Sequence, residues 1–235
     1  MLGILFAGSR FRRVVCCALI LWIQDLNFAH TIYRLVYKLP PVVIQVTALA
    51  FSTSDLLLSG SADNTVKLWQ EEGDSWALKS TLRDFDDSIV RICVHPISKY
   101  SITVSANATW HLHDLETPKC IVKAHDADAV GQFTCGNVHP DGALVGLGTS
   151  SGAVRIWDIK ESKFIMAFTE GMEGLIYDMA FNENGYWLAT GCDKGVQIWD
   201  LRKLRVAVEM SPFEKGHAAC LSWDQSGKYL VCFLP

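Results

Sequence analysis

The stretch SGAVRIWDIK, residues 151–160, decides the fold. It is a short strand pattern that closes on Trp157-Asp158. A Trp-Asp pair, or its remnant, stands also at Trp69-Gln70, His113-Asp114 and Trp199-Asp200. The steps between these places are 44, 44 and 42 residues. A period of that length, filled by four short strands, is the signature of propeller blades.

Outward from Trp157 the same four-strand rhythm fills the chain from residue 46 onward. The first round of predicted strands is 46–51, 56–61, 65–69 and 76–82. The second is 89–94, 100–105, 109–113 and 119–123, and the third 133–138, 143–148, 153–157 and 163–168. The fourth is 175–181, 186–191, 195–199 and 204–208, and half of a fifth lies at 218–223 and 228–233. Turn residues separate the strands. His139-Pro140-Asp141-Gly142, Asn182-Glu183-Asn184-Gly185 and Asp224-Gln225-Ser226-Gly227 hold one place in successive rounds. Each ends in Gly, which suits a positive φ between two strands. No stretch of helical period interrupts this region. The prediction is an all-β, incomplete propeller of about four and a half blades over residues 46–235, preceded by an atypical segment, 1–45.

That first segment carries Arg10, Arg12 and Arg13 before the apolar run VVCCALILWI, 14–23. Ten apolar residues are too few to cross a bilayer, which takes about 20. A basic stretch before a short apolar core resembles a signal peptide, but no small-residue cleavage site follows. A buried helix or packing arm is a second reading. The expectation is a third, that the segment does not belong to the mature protein.

Bulk properties exclude several classes. Half of the 235 residues are hydrophobic and 20% are charged, as in a globular protein with a sizeable core. A net charge of −4 gives no nucleic-acid footprint. Eight cysteines form no CxxC pair, so a zinc or redox motif is not expected, and buried reduced thiols are. GxxxxGK[ST] and HExxH are missing, and Gly148–Gly152, which matches GxSxG letter for letter, is a turn rather than a nucleophile elbow. His111 and His113 share one strand face, and His125 follows, without metal spacing to a fourth ligand. No catalytic residue, cofactor or metal is predicted. The loop Asp84-Phe85-Asp86-Asp87 is solvated in the simplest account, and a contact for a basic partner in the sharper one.

The repeat resembles WD40. That resemblance implies an internal network in which an Asp in the turn before the third strand bonds a His from the preceding loop, joined by the Trp. Six residues before each Trp or its substitute stand Asp63, Asn107, Ser151 and Asp193. The His place holds His125 before the third unit, with Asp86 and Met172 in the second and fourth. The expected structural set is therefore Asp63, Trp69, Asp114, His125, Trp157, Asp158, Asp193, Trp199 and Asp200. Loops at sheet ends carry function. The candidate partner-binding residues are Asp84, Asp86, Asp87, Asp126, Asp128, Glu170, Glu173 and Lys194.

HPDGALVGLGTSSGAVRIWDIKE (139–161), FNENGYWLATGCDKGVQIWDLRKL (181–204) and WDQSGKYL (223–230), in that order, are similar to the propeller of the pre-mRNA-processing factor 19 family. The resemblance covers roughly residues 46–231. It implies a nuclear scaffold in splicing, acting on the spliceosome, with links to DNA repair and E3 ubiquitin ligase activity. Its partners would be spliceosomal proteins and ubiquitination substrates, with neither direct nucleic-acid binding nor a membrane. The family's ligase activity resides in a U-box, its oligomerisation in a coiled coil, and its propeller has seven blades. No residue here matches the U-box and no heptad run exists. The expectation is that both ends reflect a truncated or misassembled gene model. An open ring of blades exposes strand edges and apolar faces, so poor solubility is expected. The alternative is a general WD40 adaptor in signalling or ribosome-associated assemblies, without enzymatic activity.

Overall fold

The computed structural model describes residues 45–52, 55–73, 75–169, 174–211 and 218–233. The segment 1–44, with the apolar run and Cys16 and Cys17, lies outside the described residues. So do Glu170, Met172 and Glu173.

Eighteen strands and no helix occur among the described residues. Unit 1 is β1 (Val46–Ser52), β2 (Leu56–Ser61), β3 (Val66–Glu72) and β4 (Ser75–Leu82). Unit 2 is β5 (Ile89–Val94), β6 (Tyr100–Ser105), β7 (Thr109–Asp114) and β8 (Lys119–His125). Unit 3 is β9 (Phe133–Val138), β10 (Leu144–Thr149), β11 (Val154–Asp158) and β12 (Lys163–Phe168). Unit 4 is β13 (Asp178–Phe181), β14 (Trp187–Cys192), β15 (Gly195–Asp200) and β16 (Arg205–Met210), and the half unit is β17 (Cys220–Trp223) with β18 (Leu230–Phe233). Each unit is an antiparallel sheet in chain order. The innermost strands pack in series, β1 on β5, β5 on β9, β9 on β13 and β13 on β17. This is an incomplete propeller, as the period predicts.

One strand starts later than its pattern suggests: β13 opens at Asp178, not at 175. Leu175 and Ile176, before it, bond outside the sheet. Leu175 N donates to Asp193 Oδ2 at 3.3 Å, and Ile176 N to the Thr149 carbonyl of unit 3 at 3.2 Å.

The core lies between units. One face of unit 2 (Ile102, Val104, Trp110, Leu112) packs on Val145, Leu147 and Trp157 of unit 3. Val154, Ile156 and Phe168 of unit 3 pack likewise on Leu188 and Trp199 of unit 4. Trp110 and Trp199 are among the largest fully buried side chains. Trp110 meets Trp157 edge-on at 6.0 Å between ring centroids, a favoured aromatic geometry. In all four complete units the pairing of third and fourth strands slips by one residue just before the Trp or its substitute, at Leu68/Trp69, Leu112/His113, Ile156/Trp157 and Ile198/Trp199. Such a bulge bends the strand and increases its twist.

A second repeated device ties the units together. Ser52 Oγ donates to the Ser98 carbonyl at 3.2 Å, and His95 Nε2 bonds the Gly142 carbonyl at 2.9 Å. His139 Nε2 bonds the Gly185 carbonyl at 2.9 Å, and Asn182 Nδ2 donates to the Gly227 carbonyl at 2.8 Å. Each bond runs from one first-to-second strand turn to the same turn of the next unit. The accepting glycines have φ of 76°, 71° and 67°, a region where side chains are strained. A Cβ on Gly142 would also come within 2.4 Å of the His95 ring, and one on Gly185 within 2.9 Å of His139. Where the donor is the short Ser52, the fourth place tolerates Ser98, at φ 56°.

Candidate partner-binding face

The chain order of each sheet puts two sets of loops at one end. These are the turns between second and third strands and the longer loops that lead to the next unit. Most of the candidate partner residues fall on this end.

The repeat Trp indoles are held from below. Trp69 Nε1 donates to Ser59 Oγ at 2.9 Å, and Trp199 Nε1 to Thr190 Oγ1 at 3.3 Å. Unit 3 has Leu147 in the place of these hydroxyls, by register with Arg155 as Ser59 pairs with Lys67 and Thr190 with Gln197. Its Trp157 Nε1 turns instead to Asp126 Oδ2 at 3.1 Å. Arg155 completes the site: Nη2 donates to Asp126 Oδ1 at 2.7 Å and Nε to Oδ2. Both partners are buried, Arg155 at 8% and Asp126 at 4% exposure. A bidentate pair of this kind fixes geometry as well as charge.

This corrects two assignments. His125 lies exposed at the end of β8, and the neighbouring Asp126 holds the network place that His125 was expected to take. Asp126 in turn is spent inside the fold and presents no carboxylate to a partner. Unit 2 uses the same loop place: Asp84 Oδ2 stands 3.5 Å from Nε2 of His113, the substitute for Trp.

The turn residues do not form the Asp–His bond. Asp63 accepts from Thr65 Oγ1 at 2.6 Å and Thr65 N at 3.1 Å. Burial opposes its ionisation, but bonds with Thr65 and Ser61 and the nearby Lys67 outweigh this and hold the carboxyl below its usual range. Asn107 accepts likewise from Thr109 Oγ1 at 2.6 Å. Asp193 Oδ1 accepts from the Tyr177 hydroxyl at 2.7 Å. In units 2 to 4 the Asp after the Trp place caps the turn between third and fourth strands. Glu116 N donates to Asp114 at 2.7 Å, Glu161 N to Asp158 at 2.7 Å, and Arg202 N to Asp200 at 3.0 Å. Arg202 adds its guanidinium to Asp200 at 3.1 Å.

What reaches solvent is a smaller set. Asp84 and Asp86 side chains are 52% and 66% exposed, and Lys123 Nζ binds Asp86 at 2.6 Å. Asp87 accepts from Ser88 N at 2.6 Å. Asp128 and Lys194 are exposed. The structure thus brings Asp84, Asp86, Asp87 and Lys123 together, with Asp128 on the next loop along. Among the described residues no three His, Cys, Asp or Glu side chains are arranged to hold a metal ion. Burial, seconded by Asp178, pushes the Cys135 thiol up to about 12, so it is no nucleophile at neutral pH. A cavity of about 490 Å³ lies along the inner strands, with Arg91, Asn137, Ser222 and Trp223 in its wall. Arg91 Nη2 reaches Asp178 of unit 4 at 3.4 Å.

The fold and its repeats make this chain a WD40-repeat protein. The model of the WD domain, G-beta repeat, matches residues 43–70 and 163–200. The chain is similar to pre-mRNA-processing factor 19. It is 38% identical to pre-mRNA-processing factor 19 homolog 2 of Arabidopsis thaliana over 79% of its own length and 35% of that protein's. It is 38% identical to pre-mRNA-processing factor 19 of Oryza sativa subsp. japonica over 80% of its length and 36% of that protein's. Similarity extends more weakly to the small ribosomal subunit protein RACK1y of Oryza sativa subsp. japonica, 28% identical over 61% of the chain and 43% of that protein. The chain spans about a third of the length of the pre-mRNA-processing relatives named here.

Proposed function

We propose that this chain is a protein-binding scaffold of pre-mRNA splicing. The similarity to two pre-mRNA-processing factor 19 proteins over about four fifths of the chain carries this reading. The solvent-facing carboxylates of Asp84 and Asp86, on a loop fixed between two sheets, supply a surface for basic segments of partner proteins. Those partners would be spliceosomal proteins, in the nucleus, at the stage of spliceosome activation. Ubiquitin ligase activity and a role in DNA repair are proposed only for a protein that joins this propeller portion to a U-box. This portion would then hold the substrates. The likeness to a ribosomal-subunit protein favours one rival, a general adaptor on ribosome-associated assemblies.

The test is competition in a splicing-competent nuclear extract. Excess wild-type chain is expected to titrate partners and lower the yield of spliced product. The Asp84→Lys/Asp86→Lys variant is expected to leave the yield unchanged. No inhibition by the wild type, or equal inhibition by both, overturns the proposal. Inhibition of translation in a cytoplasmic extract, with splicing untouched, supports the rival.

A further inference from the structure

Units 1, 3 and 4 place an aliphatic residue opposite the repeat Trp: Leu57 faces Trp69, Val145 faces Trp157 and Leu188 faces Trp199. Unit 2 breaks the pattern. Ser101 faces His113 and Thr103 faces His111, and all four side chains are fully buried. This face looks toward unit 1, which contributes Leu56, Leu58, Val66 and Leu68 to a cluster closed by Phe85. The Phe85 ring lies edge-on to His111 at 4.8 Å and tilted against His113 at 5.3 Å. The two imidazoles are 6.0 Å apart, centre to centre.

The polar groups of this face are poorly matched. The hydroxyls of Ser101, Thr103 and Ser105, both nitrogens of His111 and Nδ1 of His113 are buried without a hydrogen-bond partner among the described residues, and His113 Nε2 has only the 3.5 Å approach of Asp84. Such groups are rare in native cores and mark a weak or switchable place. The contact between units 1 and 2 therefore sets leucines against unmatched hydroxyls and imidazoles. The contact between units 2 and 3 joins Trp110 to Trp157 in an apolar cluster.

We propose that the contact between units 1 and 2 is an acid-operated seam: proton uptake by His111 and His113 parts unit 1 from unit 2, while units 2 to 4 stay packed. Four other ionisable groups lie about these rings. Asp84 stands 3.5 Å from His113 Nε2, and Asp86 sits on the same loop, bound to Lys123. Lys123 pairs with His111 across β7 and β8, and Cys120 with His113. Unit 1 presents its leucines and Val66, with Phe85 between. Burial, then the nearness of His113 and Lys123, holds His111 down at about 4. Burial lowers His113 as well, against the pull of Asp84. Both rings are neutral at pH 7, and the closed seam binds fewer protons than the open one. Its stability is therefore complete above about pH 6.5 and falls away as pH drops toward 4. For His111 alone, a change from 6.5 in the open state to about 4 in the closed one raises the open fraction about 30-fold between pH 7.5 and pH 5.0.

Hydrogen exchange followed by mass spectrometry tests this, with rates corrected for the intrinsic effect of pH. Peptides from β2 to β4 are expected to gain at least tenfold in exchange at pH 5.0 over pH 7.5, and those from β10, β11, β14 and β15 to gain less than twofold. A variant carrying Ser101→Leu, His111→Gln and His113→Trp copies residues that units 1 and 4 hold at these places. It is expected to lose the difference between pH values. Equal gain in all units of the wild type, no gain anywhere, or an unchanged pH response in a folded variant would overturn the seam. If the variant does not fold, the wild-type peptides decide alone.

Discussion

Replacing Asp126 by Ala should be among the most damaging single changes in the third unit. The substitution strips Arg155 of its bidentate partner and Trp157 of the acceptor for its indole N–H. Arg155 is only 8% exposed, so its charge has no easy route to water. Breaking a buried pair by removing one member costs about 3–5 kcal/mol, because the other charge is left uncompensated. With a urea slope of about 2 kcal/mol/M, that loss moves the midpoint down by roughly 1.5–2.5 M. His125→Ala, one residue away but exposed, should stay within about 0.5 kcal/mol. Urea unfolding followed by tryptophan fluorescence and by far-ultraviolet circular dichroism measures both variants. The double variant Asp126→Leu/Arg155→Met should recover most of the loss, since a buried ion pair replaced by apolar groups is often neutral. An Asp126→Ala midpoint within 0.3 M of wild type, or an equal loss with His125→Ala, would refute this account of the network.

Other changes read other parts of the fold. Gly185→Ala should cost more than about 1 kcal/mol, since Ala is strained at φ 71° and its Cβ meets the His139 ring at 2.9 Å; thermal unfolding checks it. Trp199→Ala should cost about 3–5 kcal/mol, because a ring only 1% exposed leaves a cavity between units 3 and 4; the same urea assay applies. Cys135, with its thiol pushed up to about 12, should resist alkylation by iodoacetamide at pH 8 in the folded chain and react in 8 M urea, read by the mass of its peptide. Asp86→Lys should leave the melting temperature essentially unchanged, because its ion pair with Lys123 is exposed; circular dichroism melting is enough to see it.

Much of the fold is legible because its signals are local. Period-two apolar strands, turns ending in Gly142, Gly185 and Gly227, and the spaced Trp places each follow from short-range chemistry. The inter-unit ladder is also written in the sequence, as Ser52, His95, His139 and Asn182 at one repeat position. Its meaning depends on adjacency of two turns some 45 residues apart, which no local pattern contains. The choice of His125 over Asp126 failed for a physical reason. A position-by-position comparison with other repeats expects a His, but unit 3 has lost the hydroxyl beneath its Trp to Leu147 and gained a buried Arg155. Those two changes together ask for an anion, and the only acid beside the expected place is Asp126. The pair Leu147 and Arg155 was the available signal. In unit 2 the large indole has moved to the opposite face as Trp110, which the Trp-Asp spacing alone could not reveal. The bulges ahead of each Trp leave no mark, since one extra residue in the fourth strand resembles ordinary variation in length.

The most direct test of the central claim is affinity purification of the tagged chain from nuclear extract, with quantitative mass spectrometry of what comes with it. The wild type is compared with the Asp84→Lys/Asp86→Lys variant. Enrichment of identified spliceosomal proteins with the wild type, reduced at least fivefold with the variant, is the predicted result. Recovery of the same proteins with both chains, or of ribosomal proteins in their place, would contradict it.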